Sequence, residues 1–322
     1  MDMNLFYMIF YSVASLILLL VTVMYTIYFE RKVIGYMQVR YGPNRTGPLG
    51  LLQTLADVLK LLMKEDIIPA KVDRPIFVLA PVIAFAPSFM ILATIPWSEN
   101  IYGADLNIGV LYIIGISSIT TIGMLMGGWS SNNKYSLLGA MRSVAQMISY
   151  EIPLVMSIIG VVILAGSMNL RDIVYAQQNM GLWFVIPQFL GFIVYMIAAT
   201  AEVARSPFDL PEAESELVSG YHVEYSGFRM AYFFLAEYVY AIAIAALATI
   251  LFFGGWLGPA FLPGIVWFFL KWSVFMFIWF WLRATMPRTR IDQLMTFGWK
   301  VLIPLALVNI VITAVVRIWM GG

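Results

Sequence analysis

The feature that most constrains the fold is a run of 27 uncharged residues between Asp2 and Glu30, followed by seven further long apolar segments. A helix that crosses the hydrocarbon core of a membrane needs about 20 mostly apolar residues, whereas the strands of a membrane barrel would alternate apolar and polar residues. We therefore predict an all-α polytopic membrane protein, with residues 1–322 forming a single transmembrane domain. The eight predicted spans cover residues 5–28, 76–96, 108–128, 145–166, 182–201, 230–253, 264–286 and 301–319.

The composition excludes several classes of function. Only 11% of the residues are charged, compared with about 25% in a soluble domain. The chain has no Cys, which excludes disulfides, thiolate zinc sites and cysteine-bound iron–sulfur clusters, and its one histidine, His222, argues against haem ligation. Basic and acidic residues nearly balance at 19 and 18, so nucleic-acid binding has no electrostatic basis, and neither G-x-G-x-x-G nor a P-loop occurs. Any nucleotide or electron carrier must therefore lie on other chains.

Lysine and arginine in the connections indicate which side of the membrane each connection faces, because inner loops carry an excess of these residues. The first, third, fifth and seventh connections together hold 15 of them, and the opposite side holds two. We therefore predict that residues 29–75 and 202–229 form long inner loops. Both termini are expected on the outer side.

Three carboxylates lie inside the predicted spans or at their ends. Glu151 and Glu237 are about two turns inside the fourth and sixth spans, and Glu202 closes the inner end of the fifth. A charge at the bilayer centre costs about 2.5–3.5 kcal/mol on insertion scales, so such a carboxylate is a functional candidate. The alternative is that each is a helix-end side chain reaching headgroup water. Their similar predicted depth favours a buried acidic file that passes protons along.

The fifth connection is acidic on the side where positive charge is expected. It carries six acidic residues, counting Glu202, against two arginines, and two prolines stiffen it. If residues 212–218 form a helix, Glu212 and Glu216 are repelling neighbours on one face. A solvated acidic loop is the alternative, and we favour a folded acidic lid over a pore mouth.

Residues 50–64 in the first connection have the pattern of an amphipathic helix. Leucines and Val58 form one stripe, and Asp57, Lys60 and Lys64 lie on the opposite face, into which Leu61 intrudes. We predict that this helix lies in the inner interface of the membrane. The pattern leaves open whether its polar face meets water or a cavity in the protein.

Several long sequence blocks occur together in the order found in one known family. They are Glu30-Arg31-Lys32, Arg40-Tyr41-Gly42-Pro43-Asn44, Ala56-Asp57-Val58-Leu59-Lys60, Lys64-Glu65, GWSSNNKY at 128–135, Ser149-Tyr150-Glu151, RSPFDLPEAESEL at 205–217 and RTRIDQL at 288–294. Over nearly the whole chain, the sequence closely resembles the H-subunit family of proton-pumping NADH:quinone oxidoreductase (respiratory complex I), called subunit 1 in mitochondria.

The resemblance implies a subunit that contributes to the quinone chamber where the membrane and peripheral arms of the complex meet. The implied residues of the chamber and its mouth are Glu30, Arg31, Arg40, Asp57, Lys60, Arg205, Asp209, Arg283 and Arg290. The implied acidic passage toward the antiporter-like subunits consists of Glu151, Glu202, Glu212, Glu214, Glu216, Glu224 and Glu237. The residue-based reasoning selects most of this acidic set independently, but it does not point to quinone.

The resemblance also implies the partners and cofactors. The partners are peripheral iron–sulfur and quinone-site subunits, small membrane subunits and antiporter-like subunits, with quinone as substrate and the lipid bilayer as surroundings. FMN and the iron–sulfur clusters are expected on partner subunits, and this chain is expected to bind no redox cofactor, to hold no metal and to carry no catalytic residue of its own.

Charge changes during quinone reduction are expected to reach the acids of the fifth connection and then the intramembrane acids. Two other functions remain open on the sequence: a stand-alone ion-coupled transporter that uses the same carboxylates, and the homologous subunit of a related membrane hydrogenase or dehydrogenase. Because no targeting segment precedes the first span, we expect the bacterial plasma membrane rather than the mitochondrial inner membrane or the thylakoid.

Overall fold

The computed structural model describes residues 5–210, 219–259 and 261–319, and these ranges contain helices and no β-strands. The α-helices are α1 (Leu5–Met37), α2 (Gln53–Met63), α3 (Arg74–Leu92), α4 (Gly109–Ser130), α5 (Lys134–Ala165), α6 (Leu170–Met180), α7 (Phe189–Glu202), α8 (Gly227–Phe253), α9 (Gly264–Thr285), α10 (Ile291–Phe297) and α11 (Ile303–Trp319). A π-helical turn, Gly298–Leu302, joins α10 to α11.

The predicted class, an all-helical multi-pass membrane protein, is confirmed. Within the described ranges, seven helical segments are long and apolar enough to cross a membrane: Val13–Met37, Arg74–Leu92, Gly109–Ser130, Lys134–Ala165, Gly227–Phe253, Gly264–Thr285 and Ile291–Trp319. The remaining predicted span, 182–201, contains the shorter apolar helix α7. The placement of both termini on the outer side stays a prediction.

Two helices extend beyond their predicted ends into segments that the sequence analysis assigns to loops. Helix α1 continues to Met37, nine residues past the predicted end of the first span, so Glu30 and Arg31 lie on a helix rather than in the loop 29–75. Helix α5 begins at Lys134, eleven residues before the predicted start of its span. Charged residues do not end these helices, because the backbone hydrogen bonds within a helix let it carry charge past the apolar layer.

Helix α7 has only 14 residues, about 21 Å at about 1.5 Å per residue, which is short for a membrane crossing. Pro187 explains the late start, because the residue before a proline avoids the helical conformation. The irregular backbone ahead of α7 is bonded within the protein, as a membrane interior requires. The N–H of Phe184 donates to Gln177 Oε1, and the N–H of Val185 donates to the carbonyl of Phe252 on α8 at 2.9 Å.

Helix α8 is the central helix of the described structure. It contacts α1, α2, α3, α5, α6, α7 and α9. Every side chain from Val239 to Phe252 is buried, which requires neighbours on all sides. A polar group on this part of α8 therefore depends on protein partners, because neither water nor headgroups reach it.

The intramembrane cation Lys271 caps the end of α8. Its Nζ donates hydrogen bonds to the carbonyl oxygens of Phe253, Gly255 and Leu257 at 2.7, 3.0 and 2.5 Å. The carbonyl of Phe253 is the last of α8, where carbonyls lack partners within the helix and carry partial negative charge, and those of Gly255 and Leu257 lie in the connection that follows. Lys271 therefore has a structural role that its position in an apolar span does not reveal.

Helix α2 confirms the predicted amphipathic helix. Leu55, Leu59 and Leu62 on the apolar stripe are 42–54% exposed, as suits contact with lipid. Thr54 is buried and Asp57 is partly buried, whereas Lys60 and Lys64 are exposed. The polar face is therefore divided: Asp57 turns toward the protein interior, and Lys60 and Lys64 lie at the surface.

Helices α3 and α4 approach each other closely at Gly123. A Cβ atom at this position would lie 2.6 Å from the backbone nitrogen of Ala84 and 2.8 Å from its Cα. Gly115, two turns earlier on the same helix, has no neighbouring atom of the described structure within 4 Å of such a Cβ. Small residues allow this kind of close helix packing in membranes. Gly123, unlike Gly115, is therefore required by packing.

We predict that Gly123→Ala destabilises the protein, because overpacking at a close contact costs about 1–3 kcal/mol. The measurement is the thermal unfolding midpoint of the purified complex in detergent, together with its yield. Gly115→Ala on the same helix is the matched control and should behave like the unmodified protein. Equal midpoints for the two variants would contradict the close packing of α3 on α4.

His222 is buried in the short turn Gly220–His222 beneath the start of α8. Its ring packs edge-on against Tyr221 and Phe234, with centroid distances of 5.0 and 5.3 Å. Burial lowers the pKa of His222 to about 4, because the charged imidazolium would lose its hydration. Its Nδ1 has no hydrogen-bond partner among the described residues. His222 is therefore neutral at physiological pH.

The lowered pKa of His222 makes the stability depend on pH in a defined direction. Between about pH 6.5 and about pH 4 the unfolded chain binds a proton at this histidine that the folded chain does not. As the pH falls through this window, the free energy of unfolding decreases by up to about 3 kcal/mol because of this histidine. Above the window His222 causes no such loss. We expect the unfolding midpoint to fall more steeply within the window for the unmodified complex than for His222→Gln. Parallel curves would exclude His222 as the titrating group.

Candidate functional site

A cavity of about 740 Å³ lies between α1, α2, α8 and the end of α9. Its apolar lining consists of Leu20, Val23, Met24, Ile27, Ile34, Val58, Leu61, Leu62, Phe228, Ala231, Phe234 and Leu235. Its polar lining consists of Glu30, Arg31, Thr54, Asp57, Lys60, Tyr238 and Arg283. A large, mostly apolar cavity with a few convergent polar groups is the typical form of a small-molecule site.

The polarity of the cavity changes along α1. Leu20, Val23, Met24 and Ile27 precede Glu30 and Arg31 in the lining, and Ile34 follows them. Ten residues separate Leu20 from Glu30, about 15 Å at about 1.5 Å per residue. The cavity therefore combines a long apolar compartment with a charged region around Glu30 and Arg31, termed the charged end.

Glu30 is the centre of the charged end, and only 3% of its surface is exposed. Its carboxylate forms a salt bridge with Arg283 and accepts a hydrogen bond from the Tyr238 hydroxyl at 2.7 Å. Arg205 Nη1 lies 3.9 Å from Glu30 Oε1, and the Arg205 guanidinium lies 4.4 Å from the centroid of the Tyr238 ring. A buried charge must be paired and hydrogen-bonded to be tolerated. Two arginines around one carboxylate leave this cluster with excess positive charge.

A second ion pair joins α1 to α2 at the cavity. Arg31 Nη1 lies 2.6 Å from Asp57 Oδ2, and Gln53 Nε2 donates to the other oxygen of Asp57 at 3.2 Å. Lys60 contributes another cation from α2. With Arg205 included, this end of the cavity has four cationic and two acidic side chains, a net charge of plus two. Such an end favours a ligand on which negative charge develops.

Most of the predicted chamber residues converge on this cavity. Five of the nine line it: Glu30, Arg31, Asp57, Lys60 and Arg283. Arg205 lines a small adjoining space that shares Glu30, Tyr238 and Arg283 with the main cavity. The structure therefore places six of the nine around a single cluster.

The other three predicted chamber residues lie away from the cavity lining. Arg40 donates to Gln38 Oε1 at 2.8 Å in the exposed segment after α1. Asp209 pairs with Arg288 at 3.1 Å. Arg290 pairs with Asp292 at 3.2 Å at the start of α10, where its side chain is 79% exposed. A chamber role remains a prediction for all nine residues.

Two of the predicted relay acids lie close together. Glu202 ends α7 as predicted and is buried, and its Oε1 accepts a hydrogen bond from the Tyr240 hydroxyl at 2.6 Å. The Ser118 hydroxyl on α4 donates to Glu151 on α5. Glu151 and Glu202 are close enough to interact as like charges. Each acid therefore has a hydroxyl donor.

The remaining described acids have polar partners as well. Glu237 is buried and accepts a hydrogen bond from the Tyr221 hydroxyl at 2.8 Å, and Glu224 accepts one from Asn133 Nδ2 at 2.6 Å. Burial of Glu202 and Glu237 excludes the alternative that these two reach headgroup water. The other predicted relay acids, Glu212, Glu214 and Glu216, and the predicted helix 212–218, lie outside the described residues.

Hydrogen bonds to backbone carbonyls hold the end of α7 and the connection after it against neighbouring segments. Gln146 Nε2 on α5 donates to the carbonyls of Ala201 and Phe208 at 2.6 and 2.7 Å. The backbone N–H and the hydroxyl of Thr289 both donate to the carbonyl of Pro207, at 3.0 and 3.2 Å. These bonds hold the segment that carries Arg205 next to the end of α7.

The charged residues stand out in the sequence, but their hydroxyl partners do not. Tyr238 and Tyr240 on α8 donate to Glu30 and Glu202, and the acid Glu237 precedes both tyrosines. A single turn of α8 thus contacts both the cavity cluster and the relay acids. The sequence signal for these partners is that Tyr238 and Tyr240 closely follow the intramembrane carboxylate Glu237. A buried tyrosine hydroxyl needs a hydrogen-bond partner, so both are candidates to bond buried acids.

Comparison with known proteins identifies the family of the chain. A family model described as NADH dehydrogenase matches residues 10–314. The chain is 62% identical over 319 residues to the H subunit of NADH-quinone oxidoreductase from Brevibacillus brevis, covering 97% of this chain and 94% of that protein. The same-named protein of Geobacillus thermodenitrificans is 62% identical over 315 residues, covering 96% and 94%, and that of Bacillus cereus is 60% identical over 317 residues, covering 97% and 95%. The chain therefore belongs to the H-subunit family of NADH-quinone oxidoreductase and is a membrane subunit of that oxidoreductase complex.

Proposed function

We propose that the cavity is part of the quinone chamber, and that the buried carboxylates couple quinone reduction to proton translocation. The observation that carries this proposal is the contrast within the cavity, apolar along α1 and charged around Glu30. A quinone has an apolar tail and a polar headgroup, so the apolar and charged regions of the cavity suit the two parts of the substrate.

The net positive charge of the cavity end supports reduction of the headgroup. Two-electron reduction builds negative charge on the quinone oxygens, which must be met by protons or cations. Arg283 lines the cavity while it also pairs with Glu30, so it can stabilise negative charge in the cavity without moving far. The electrons come from partner subunits that hold FMN and iron–sulfur clusters.

The contacts of α8 support a coupling path from the cavity to the acids. Tyr238 donates to Glu30 at the cavity, and Tyr240, half a turn further on, donates to Glu202. A unit charge about 4 Å away changes an energy by about 4 kcal/mol at an effective dielectric of 20, so a charge change in the cavity is felt by groups this close. We place Glu212, Glu214, Glu216 and Glu224 in the same path at the inner side.

The proposed setting follows from the same assignment. The subunit occupies the bacterial plasma membrane with residues 29–75 and 202–229 on the inner side, as one transmembrane domain. Its inner surface meets the peripheral iron–sulfur and quinone-site subunits, and its other faces meet small membrane subunits and antiporter-like subunits.

We predict that narrowing the cavity impairs quinone reduction specifically. Val58→Trp places a large ring in the cavity, whereas Leu59→Trp adds the same ring on the 51% exposed outer side of α2. In the assembled complex, Val58→Trp should raise the KM for quinone by about tenfold or more, which corresponds to about 1.4 kcal/mol of lost binding. Leu59→Trp should leave the KM unchanged.

Electron transfer from NADH to ferricyanide measures assembly of the flavin side, and both tryptophan variants should retain it. An unchanged quinone KM in Val58→Trp, with assembly intact, would contradict the assignment of this cavity to quinone.

We predict that Glu202→Gln and Glu151→Gln each reduce proton translocation, because a glutamine side chain cannot release a proton. Glu99→Gln, in an exposed segment between α3 and α4, is the matched control. The measurements are acidification of proteoliposomes and quinone reductase activity of the reconstituted complex. A positioned proton-transfer group typically contributes a factor of about 10²–10⁴, so coupled turnover should fall at least about tenfold. Full proton translocation in both relay variants would overturn the coupling proposal.

A further inference from the structure

The Tyr240 hydroxyl is the hydrogen-bond donor that the described structure provides to Glu202. Its distance to Glu202 Oε1 is 2.6 Å, and both side chains are about 4% exposed. The second oxygen, Oε2, is also buried and has no hydrogen-bond partner among the described residues. Without the Tyr240 hydroxyl, neither oxygen of the Glu202 carboxyl group would have a hydrogen-bond donor among the described residues.

On its other side, Tyr240 faces Ser117 of α4. The two hydroxyls are in contact, and the Ser117 hydroxyl donates to the carbonyl of Ile114 at 2.8 Å. A proton reaches Tyr240 from this side when Ser117 rotates away from that carbonyl. The next residue, Ser118, donates to Glu151. Tyr240 therefore lies between Glu202 and the edge of α4 that holds Glu151, and these two acids interact as like charges.

A tyrosine hydroxyl in this position can pass a proton without becoming charged overall. When a proton arrives at the Tyr240 oxygen from the α4 side, the proton already on that oxygen moves to Glu202 Oε1. One proton enters, one proton leaves, and Tyr240 is neutral before and after the step. A hydroxyl both donates and accepts hydrogen bonds, so Tyr240 can provide such a route.

A second tyrosine in the same core shows what a structural hydroxyl looks like. Tyr195 on α7 is fully buried, and its hydroxyl donates to the backbone carbonyl of Ile244 at 2.9 Å. A backbone carbonyl does not take up a proton, so this bond ends a path rather than continuing one. Tyr195 and Tyr240 thus share residue type and burial and differ in the chemistry of their partners.

We propose that Tyr240 is a positioning and proton-passing residue between Glu202 and the Ser117–Ser118 edge of α4. This inference rests on the proposed function, because it assumes that Glu202 exchanges protons during turnover. It adds a neutral residue to a path that is otherwise defined by carboxylates.

The test compares Tyr240→Phe with Tyr195→Phe in the reconstituted complex, with Glu202→Gln as a third variant. Each phenylalanine variant removes one buried hydroxyl, so losses of stability and yield should be similar, and NADH–ferricyanide activity normalises for assembly. We expect Tyr240→Phe to lower coupled quinone reduction and proton translocation by at least about tenfold, and Tyr195→Phe to retain both.

Infrared difference spectra of the oxidised and reduced complex give a second measurement, the position of the Glu202 carboxyl band, which a simple loss of packing would leave unchanged. The carboxyl band assigned by its absence in Glu202→Gln should shift in Tyr240→Phe and stay in place in Tyr195→Phe. If Glu202→Gln loses translocation while Tyr240→Phe matches Tyr195→Phe in activity and spectrum, the role of Tyr240 is overturned and the proposed function stands. If Glu202→Gln translocates normally, the proposed function fails, and the role of Tyr240 fails with it.

Discussion

The arrangement of the site depends on one constraint: a charge removed from water must be compensated by groups of the protein. Glu30 meets this constraint with two arginines and a tyrosine hydroxyl, although only 3% of its surface is exposed. Each of these partners comes from a separate part of the chain, so the requirement of one carboxylate draws α1, α8, α9 and the connection after α7 together. The ion cluster therefore defines the charged end of the cavity and also holds the surrounding helices in place.

The same constraint explains why α8 joins the cavity to the acids. Helix α8 is largely buried, so its polar side chains need partners on neighbouring segments of the protein. Glu237, Tyr238 and Tyr240 do so within about one turn, toward Tyr221, Glu30 and Glu202. Burial thus turns a short polar stretch of sequence into a set of contacts between otherwise separate parts of the site.

The sequence predicts the helical class, the amphipathic helix and the acids, because these depend on hydropathy, periodicity and charge along the chain. It misplaces the ends of α1 and α5, since charged residues need not mark loops, and it overestimates α7, since Pro187 delays the start of that helix. The sequence does not predict the hydroxyl partners, for a different reason. Whether Tyr240 meets Glu202 or Tyr195 meets a carbonyl depends on which helices are neighbours, and no periodicity in a single chain encodes that. Six of the nine residues that the family resemblance implies for the chamber lie around one cavity, a grouping that hydropathy and periodicity alone do not predict.

The orientation of α2 shows why the apolar face of an amphipathic helix does not by itself locate the protein core. In a soluble protein the apolar stripe would pack inward and the charged face would meet water. Here Leu55 and Leu59 are exposed on the side suited to lipid, and Asp57 reaches Arg31 at the cavity. A membrane removes the hydrophobic gain from packing apolar side chains inward, while the gain from pairing a charge is kept. A charged face on an interfacial helix beside long apolar spans therefore points to a cavity that the helix helps to enclose.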